Sequence, residues 1–302
     1  MEVFDELRAI RKARPCASER DRLKQLVLHG GEIKLLPRPV EGTGTAVLPA
    51  QAAWVRAVLA IGVIAVMSLA CAPGTAAPSP IPKPAYCAAA QLGALQDITG
   101  TPASPYYVHH PATLSARVPT VVFLPGGSGL RRNAQRVWDT FLAGAKDVDA
   151  FRVVVPYWPD VEMPEDFRRT LGVVDEVLAC YGGDLRQVHL AGFSAGGQAA
   201  FELMLEKPER FATLLGAPGE FPLGTTPAKL AALKGKAVFN GIGERDDEFW
   251  HKGVRDAHDA LTSVGVDSVY VEFKGQAHGA GVGFPKDLLF EFWTRHSTVE
   301  HR

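Results

Sequence analysis

The sequence predicts a doubly wound α/β domain, with a mostly parallel sheet flanked by helices. From about Tyr86 onward, short apolar runs such as Thr120–Leu124 alternate with longer stretches of helical periodicity. The runs are apolar throughout, which indicates strands that are buried on both faces, as in a parallel sheet. Repeated strand–helix units also require right-handed crossovers, so the loops that follow the strands meet at one edge of the sheet.

The predicted strands are short and rich in β-branched and other apolar residues, which favour sheets. In chain order they are Ser104–His109 as an edge strand, Pro119–Leu124, Phe151–Pro156, Val188–Phe193, Ala212–Gly216, Lys236–Gly241 and Val269–Phe273. The predicted helices have apolar residues on one face, as Leu171, Val174 and Leu178 show for one of them. In chain order they are Asn133–Lys146, Glu165–Cys180, Ala195–Glu206, Pro227–Lys234, Glu248–Ser263 and Pro285–His296. We therefore place the folded domain at residues 86–302.

The N-terminal part of the chain differs in composition from this domain. Residues 1–53 mix charged residues with proline and glycine. We predict that they are disordered, or that they lie upstream of the true translation start near Val47 or Val55. Residues 54–71 combine a basic flank with the uncharged run Ala57–Ala70 and small final residues, which is typical of a secretory signal. The run is shorter than the roughly 20 apolar residues of a membrane span; the alternative is a signal-anchor helix with a cytosolic tail.

The end of this run, Leu69-Ala70-Cys71, resembles the lipobox of bacterial lipoproteins. The resemblance implies that Cys71 is acylated and becomes the mature N-terminus. Residues 72–85 are rich in proline, which predicts an extended linker. We therefore expect an extracytoplasmic protein that is secreted or lipid-anchored to the cell envelope, and that touches a membrane only through its anchor or signal.

The cysteines and the net charge exclude some classes of function. The chain has four cysteines, which form no CxxC pair and no Cys/His grid, so we predict no metal site. In an oxidising compartment Cys87 and Cys180 are candidates for a disulfide, and the alternative is two buried free thiols. The net charge of -1 gives no support for a nucleic-acid partner.

One strand-to-helix loop carries the motif G-x-S-x-G. It reads Gly192-Phe193-Ser194-Ala195-Gly196 and follows the apolar run Val188–Phe193. Glycines are needed there because the chain passes close to itself on both sides of a tight turn that presents the serine hydroxyl. The five-residue pattern alone is common, but its position between a strand and a helix predicts a nucleophile at Ser194. The alternative is an ordinary glycine-lined turn with a helix-capping serine.

From about Tyr106 to His296 the chain resembles the α/β-hydrolase superfamily, in which the triad follows the order serine, acid, histidine. The resemblance implies that Asp246, just past the predicted strand at Lys236, is the acid and that His278, after the last strand, is the base. Asp247 and then Glu244 are the alternatives for the acid. No cofactor and no metal is implied.

The same resemblance implies an oxyanion hole made of two backbone N–H groups. One belongs to Ala195, the residue after the nucleophile. The other comes from the loop after Thr120–Leu124, where we choose Gly127, with Ser128 as the alternative. The usual histidine of this loop is replaced by Pro125.

The substrate is predicted to be a small or polymeric carboxylic ester. Little sequence separates Gly216 from Lys236, so the cap over the site is expected to be minimal. The elbow and the short cap look like those of the polyester-depolymerase, feruloyl-esterase and dienelactone-hydrolase-like branches. Tyr157, Trp158 and Trp250 are candidates for the substrate pocket, against the alternative of ordinary core aromatics. A serine peptidase or acyltransferase with the same triad, and a catalytically silent binding module, are the competing functions.

Overall fold

The computed structural model describes residues 83–113, 117–158 and 165–297; for residues 165 and 166 only the backbone is described. Within these residues, eight strands form one sheet. The predicted segments at 1–53 and 54–71, with Cys71, lie outside the described residues, as does most of the linker at 72–85. Among the residues described, none of the helices is both long and apolar enough to cross a membrane.

The sheet is mostly parallel, with the strand order β1-β2-β4-β3-β5-β6-β7-β8. Strand β2 pairs antiparallel with both β1 and β4, and all other pairs are parallel. The strands are β1 Leu95–Ile98, β2 Tyr106–His109, β3 Thr120–Leu124, β4 Arg152–Pro156, β5 Val188–Gly192, β6 Thr213–Gly216, β7 Ala237–Gly243 and β8 Asp267–Phe273. Because β4 and β5 lie on opposite sides of β3, the chain reverses its direction across the sheet there. In doubly wound sheets ligands bind at the carboxyl ends of the strands at such a point, which here are the ends of β3 and β5.

Helices cover both faces of the sheet, and each face has its own buried core. The helices are α1 Arg131–Val137, α2 Arg169–Tyr181, α3 Ala195–Glu206, α4 Pro227–Ala231, α5 Glu248–Ser263 and α6 Lys286–Arg295. Side chains of α2, α3, α4 and α5 pack on one face, and side chains of α1 and α6 pack on the other. The buried strands β2 to β7 therefore contact apolar side chains on both sides, which explains why their sequences do not alternate.

Among the differences between the predicted elements and the structure, two concern β2 and the helix after β3. Ser104–His109 is not an edge strand, because β1 (Leu95–Ile98) pairs with β2 and forms the edge. The predicted helix Asn133–Lys146 begins at Arg131 and ends at Val137, where a π-helical turn at Trp138–Leu142 takes over. This turn directs Phe141 and Leu142 into the core beneath α6.

The segment that precedes β1 is joined covalently to the end of α2. Cys87 and Cys180 form a disulfide whose Cα atoms are 5.3 Å apart. Cys180 is buried, and the next residue, Tyr181, accepts a hydrogen bond on its carbonyl from the buried Arg152 at the start of β4. The disulfide thus holds the segment before β1 close to the hydrogen bond between Arg152 and the carbonyl of Tyr181.

Candidate active site

The nucleophile motif forms a strained turn between β5 and α3. Ser194 has φ 57° and ψ -121°, in a region that residues with a side chain rarely adopt. The turn closes only because its neighbours are glycines: a Cβ on Gly192 would lie 2.1 Å from the carbonyl oxygen of Gly196, and a Cβ on Gly197 would lie 2.1 Å from that of Pro218. Although Ser194 is at the N-terminus of α3, its side chain makes no capping hydrogen bond. The alternative of a helix-capping serine therefore has no support.

The hydroxyl of Ser194 is the first member of a hydrogen-bonded chain of three side chains. Its Oγ lies 2.9 Å from Nε2 of His278. Nδ1 of His278 lies 3.0 Å from each carboxylate oxygen of Asp246. The Asp246 side chain is 0% exposed, whereas that of His278 is 37% exposed. A buried carboxylate on one ring nitrogen fixes the tautomer in which the other nitrogen accepts the serine proton.

The two other acidic residues near Asp246 have structural roles. The carboxylate of Asp247 accepts the backbone N–H of Trp250 at 3.3 Å and caps the N-terminus of α5. The carboxylate of Glu244 accepts the backbone N–H of Gly275 at 2.7 Å. Neither is bonded to His278, so the structure brings only Asp246 to the imidazole.

The acid loop and the histidine loop are held together by bonds that sequence reasoning missed. The backbone N–H of Arg245 donates to the carbonyl of Gln276 at 2.8 Å. The buried side-chain amide of Gln276 accepts the N–H of Gly281 at 2.7 Å, which closes the loop around His278. Gly243 permits this close approach, because a Cβ there would lie 2.6 Å from the Gln276 carbonyl oxygen. An amide two residues before the histidine was the available signal for this role.

The predicted oxyanion donors lie on the adjacent ends of β3 and β5. Gly127 has φ +62°, and a Cβ on it would lie 3.1 Å from the side-chain nitrogen of Asn133. Among the described residues, the N–H groups of Gly127 and Ala195 donate no hydrogen bond. A Cβ on Gly196 would lie 2.3 Å from the Leu124 carbonyl oxygen, so the two loops meet through main-chain atoms. Two free N–H groups beside the nucleophile are what an oxyanion requires.

The three predicted pocket residues have different surroundings in the structure. The ring of Trp250 packs against that of His278 in a tilted arrangement, with centroids 5.1 Å apart. Tyr157 instead packs in the core against Tyr107, and its hydroxyl donates a hydrogen bond to Asp97 at 2.6 Å. The prediction that Tyr157 lines the pocket is therefore wrong. Trp158 is also a core residue rather than an open pocket wall.

The position of Trp158 has a different consequence for the site. A Cβ on Gly129, which has φ +67°, would lie 2.2 Å from the Trp158 ring. The backbone N–H of Trp158 donates to the Gly129 carbonyl at 2.9 Å. The tryptophan therefore packs against the loop that carries the predicted oxyanion donor Gly127. Within the part of the chain that the structure describes, no group of His, Cys, Asp and Glu side chains is arranged to hold a metal ion.

Comparisons with known proteins identify the fold. No family model and no curated protein matches the chain. Among solved structures, a thermostable esterase is 19% identical with a TM-score of 0.54, over 67% of this chain and 63% of that chain. The chain thus spans less than two thirds of that relative's length. A feruloyl esterase module from Clostridium thermocellum, complexed with sinapinate, is 12% identical with a TM-score of 0.54, over 69% of this chain and 89% of that chain.

A third similar structure is an esterase from the planctomycete Thermogutta terrifontis with propionate bound. It is 16% identical with a TM-score of 0.51, over 66% of this chain and 91% of that chain. Together with the eight-stranded, mostly parallel sheet and its flanking helices, these matches show that the chain has the α/β-hydrolase fold.

Proposed function

We propose that the chain hydrolyses carboxylic esters through an acyl-enzyme formed on Ser194. The observation that carries this proposal is the hydrogen-bonded series from Ser194 Oγ to His278 Nε2 and from His278 Nδ1 to the buried Asp246. The esterases of the same fold named above are consistent with it. A serine hydroxyl is a weak nucleophile unless a base is within hydrogen-bond reach, and here the base is in contact.

The proposed reaction has two halves. Ser194 Oγ attacks the acyl carbon and passes its proton to His278 Nε2, and the carbonyl oxygen becomes an oxyanion between the N–H groups of Gly127 and Ala195. When this intermediate collapses, the bond to the alcohol oxygen breaks and that oxygen takes the proton from His278. A water molecule then gives a proton to His278 and attacks the acyl carbon. The bond to Ser194 Oγ breaks, the serine recovers its proton, and a carboxylic acid leaves.

The substrate is proposed to be a small or polymeric ester that reaches an open site. Between β6 and β7 the only described helix is the five-residue α4. His278 is 37% exposed although its partner carboxylate is fully buried. A site that no helical cap covers within the described residues admits a bulky or chain-like ester, because none of these residues has to close over the bound acyl group.

The proposed location is outside the cytoplasm, through the signal at residues 54–71 and acylation of Cys71. The disulfide between Cys87 and Cys180 supports this, since structural disulfides persist in oxidising compartments and are rare in the cytosol. Intact-mass analysis of the protein purified from its native host tests this part: a mature chain that begins at an acylated Cys71 is expected, and one that retains Met1 would contradict it.

Reaction with a fluorophosphonate probe tests the catalytic proposal directly. The wild-type protein is expected to be labelled at Ser194 and to hydrolyse 4-nitrophenyl acetate. The variant Ser194→Ala should not be labelled, and its turnover number should be lower by about five to six orders of magnitude. Ser263→Ala, which changes an exposed serine at the end of α5, is the matched control and should behave as wild type. Turnover by Ser194→Ala at the wild-type rate would reject the proposal, and an aminoacyl anilide in the same assay separates an esterase from a peptidase.

A further inference from the structure

The guanidinium of Arg136 lies against the histidine loop and has no acidic partner among the residues that the structure describes. A Cβ on Gly279, the residue after His278, would lie 2.9 Å from Nη2 of Arg136. The guanidinium of Arg136 therefore occupies the space that a side chain at position 279 would fill. Arg136 is exposed, and no hydrogen bond or ion pair joins it to another group among the described residues. By contrast, Arg131 on the same helix pairs with Asp97.

The face of α1 that carries Arg136 is the face that meets the site. Asn133 is three residues earlier, so the two side chains are neighbours on one side of the helix. The Asn133 side chain accepts the backbone N–H of Leu130 at 3.1 Å and approaches Gly127 of the oxyanion loop. One turn later, Arg136 reaches the histidine loop. The cation thus lies between the loop of the proposed oxyanion donor and the loop of the proposed base.

The site itself does not neutralise this charge. Its carboxylate, Asp246, is fully buried and has both oxygens on His278. Glu244 is engaged by the backbone N–H of Gly275, and Asp247 caps α5. An exposed guanidinium without an ion-pair partner, next to the loop of the proposed base, attracts anions, and its planar fork of donors matches a carboxylate.

We propose that Arg136 binds a carboxylate carried by the substrate, so that the preferred esters are acidic ones. This inference rests on the proposed ester hydrolysis and adds a substrate class to it. Arg136 is a specificity residue here and takes no part in proton transfer. The carboxylate belongs either to the acyl part or to the alcohol part of the ester, and the experiment below has one arm for each.

The test compares kcat/KM for pairs of esters of similar size with and without a carboxylate. In the acyl arm, 4-nitrophenyl hydrogen succinate is paired with 4-nitrophenyl butyrate. In the alcohol arm, 4-acetoxybenzoate is paired with 4-methylphenyl acetate. The variants are Arg136→Gln, which removes the charge, and Arg136→Lys, which keeps the charge but loses the fork. Arg132→Gln, which changes another exposed arginine of α1, is the matched control.

In at least one arm, Arg136→Gln is expected to lower kcat/KM for the acidic ester by about fivefold to tenfold, as for a partly exposed charged hydrogen bond. The neutral partner should change by less than about twofold, which also shows that the variant is folded. Arg136→Lys should keep part of the preference, and Arg132→Gln all of it. In about 1 M NaCl, where the screening length is about 3 Å, the wild-type preference should shrink.

Two other results have distinct meanings. If the wild-type protein hydrolyses the neutral esters, and Arg136→Gln changes acidic and neutral esters by the same factor in both arms, the inference about Arg136 is overturned and the proposed function stands. If the wild-type protein hydrolyses none of the four esters, the proposed function fails, and the inference fails with it.

Discussion

Asp246 and Asp247 are adjacent in the chain, yet their carboxylates serve different elements. Both oxygens of Asp246 lie 3.0 Å from Nδ1 of His278, and its side chain is fully buried. Asp247 accepts the backbone N–H of Trp250 and caps α5. The helix that Asp247 begins carries Trp250, whose ring packs against that of His278. One aspartate therefore orients the imidazole directly, and the next one positions the helix beside it.

This difference predicts unequal effects of two matched substitutions. Asp246→Asn should lower kcat for 4-nitrophenyl acetate by about 10⁴-fold, because an amide favours the wrong imidazole tautomer and does not stabilise the imidazolium. Asp247→Asn should change kcat by less than about threefold, since asparagine caps a helix as well as aspartate does. Steady-state kinetics of the two variants, with circular dichroism to verify folding, make the comparison. Equal losses in both would contradict the assignment of the acid.

The close contact between the elbow and the oxyanion loop predicts that Gly196 tolerates no side chain. A Cβ there would lie 2.3 Å from the Leu124 carbonyl oxygen and 2.5 Å from that of Pro125. Backbone atoms of a buried strand end cannot move aside as a flexible side chain can. Gly196→Ala should therefore lower both the free energy of unfolding and kcat, measured by urea denaturation and by ester turnover.

Gly172 supplies the control for this prediction. It lies within α2, and a Cβ there would meet only the Ala103 side chain, at an ordinary distance of 3.4 Å. Gly172→Ala should leave activity unchanged and raise the free energy of unfolding by up to about 1 kcal/mol, because alanine favours the helix. If Gly196→Ala behaved like Gly172→Ala, the proposed contact between the two loops would be wrong.

The disulfide predicts a large dependence of stability on redox state. Cys87 and Cys180 are 93 residues apart in sequence, so the bond constrains the unfolded chain strongly. The double variant Cys87→Ala/Cys180→Ala should unfold with a free energy lower by about 4 kcal/mol. Urea titrations with and without dithiothreitol provide the measurement and its control, since only the wild-type protein should respond to the reductant. A reductant effect of the same size in the double variant would refute the attribution.

Acid should destabilise the protein in part through His110. Its ring is fully buried, and both ring nitrogens have no hydrogen-bond partner among the described residues. Burial, and secondly the charge of Arg152, lower the pKa of His110 to about 4, against about 6.5 in an unfolded chain. Between these values the unfolded state binds more protons. The stability due to neutral His110 is therefore present above pH 6.5 and is lost as the pH falls toward 4.

The variant His110→Phe isolates this contribution. Phenylalanine can keep the edge contact with Tyr181, whose ring centroid is 4.4 Å away. Between about pH 7.5 and pH 4.5 the wild-type protein should lose roughly 2 to 3 kcal/mol more unfolding free energy than the variant. His189, whose pKa burial lowers to about 3, contributes equally to both proteins. Parallel curves of urea midpoint against pH would show that His110 is not responsible.

The strong local signals in the sequence were sufficient to predict which three side chains, those of Ser194, Asp246 and His278, lie within hydrogen-bond distance of one another. Ser194 is surrounded by glycines between a strand and a helix, and His278 follows the last strand of the sheet. The edge strand Leu95–Ile98 was missed because three of its four residues are only half-buried, and it pairs only with β2. A short strand of this kind is specified by its partner rather than by its own pattern.

Side-chain direction at the end of β4 accounts for the error at Tyr157. Residues two apart in a strand point to the same face, and Val153, Val155 and Tyr157 all join the core beneath α1 and α6. Val154 and Trp158 join the core on the opposite face. Position after a strand was therefore a poor guide to the pocket, because the alternation of the strand continued into the loop. The approach of Arg136 to Gly279 and the bond from the Arg245 N–H to the Gln276 carbonyl join segments distant in sequence, which no local pattern encodes.

The turn at Ser194 and the loop after β3 approach each other through main-chain atoms at Gly196, where a Cβ would lie 2.3 Å from the Leu124 carbonyl oxygen. Under the proposed function, the glycines of this turn offer no side chain that could select an ester, so selection falls to the surrounding side chains, among them Arg136. For protein engineering, we therefore expect that substitution of those surrounding side chains alters the range of accepted esters, provided that the glycines of the turn are retained.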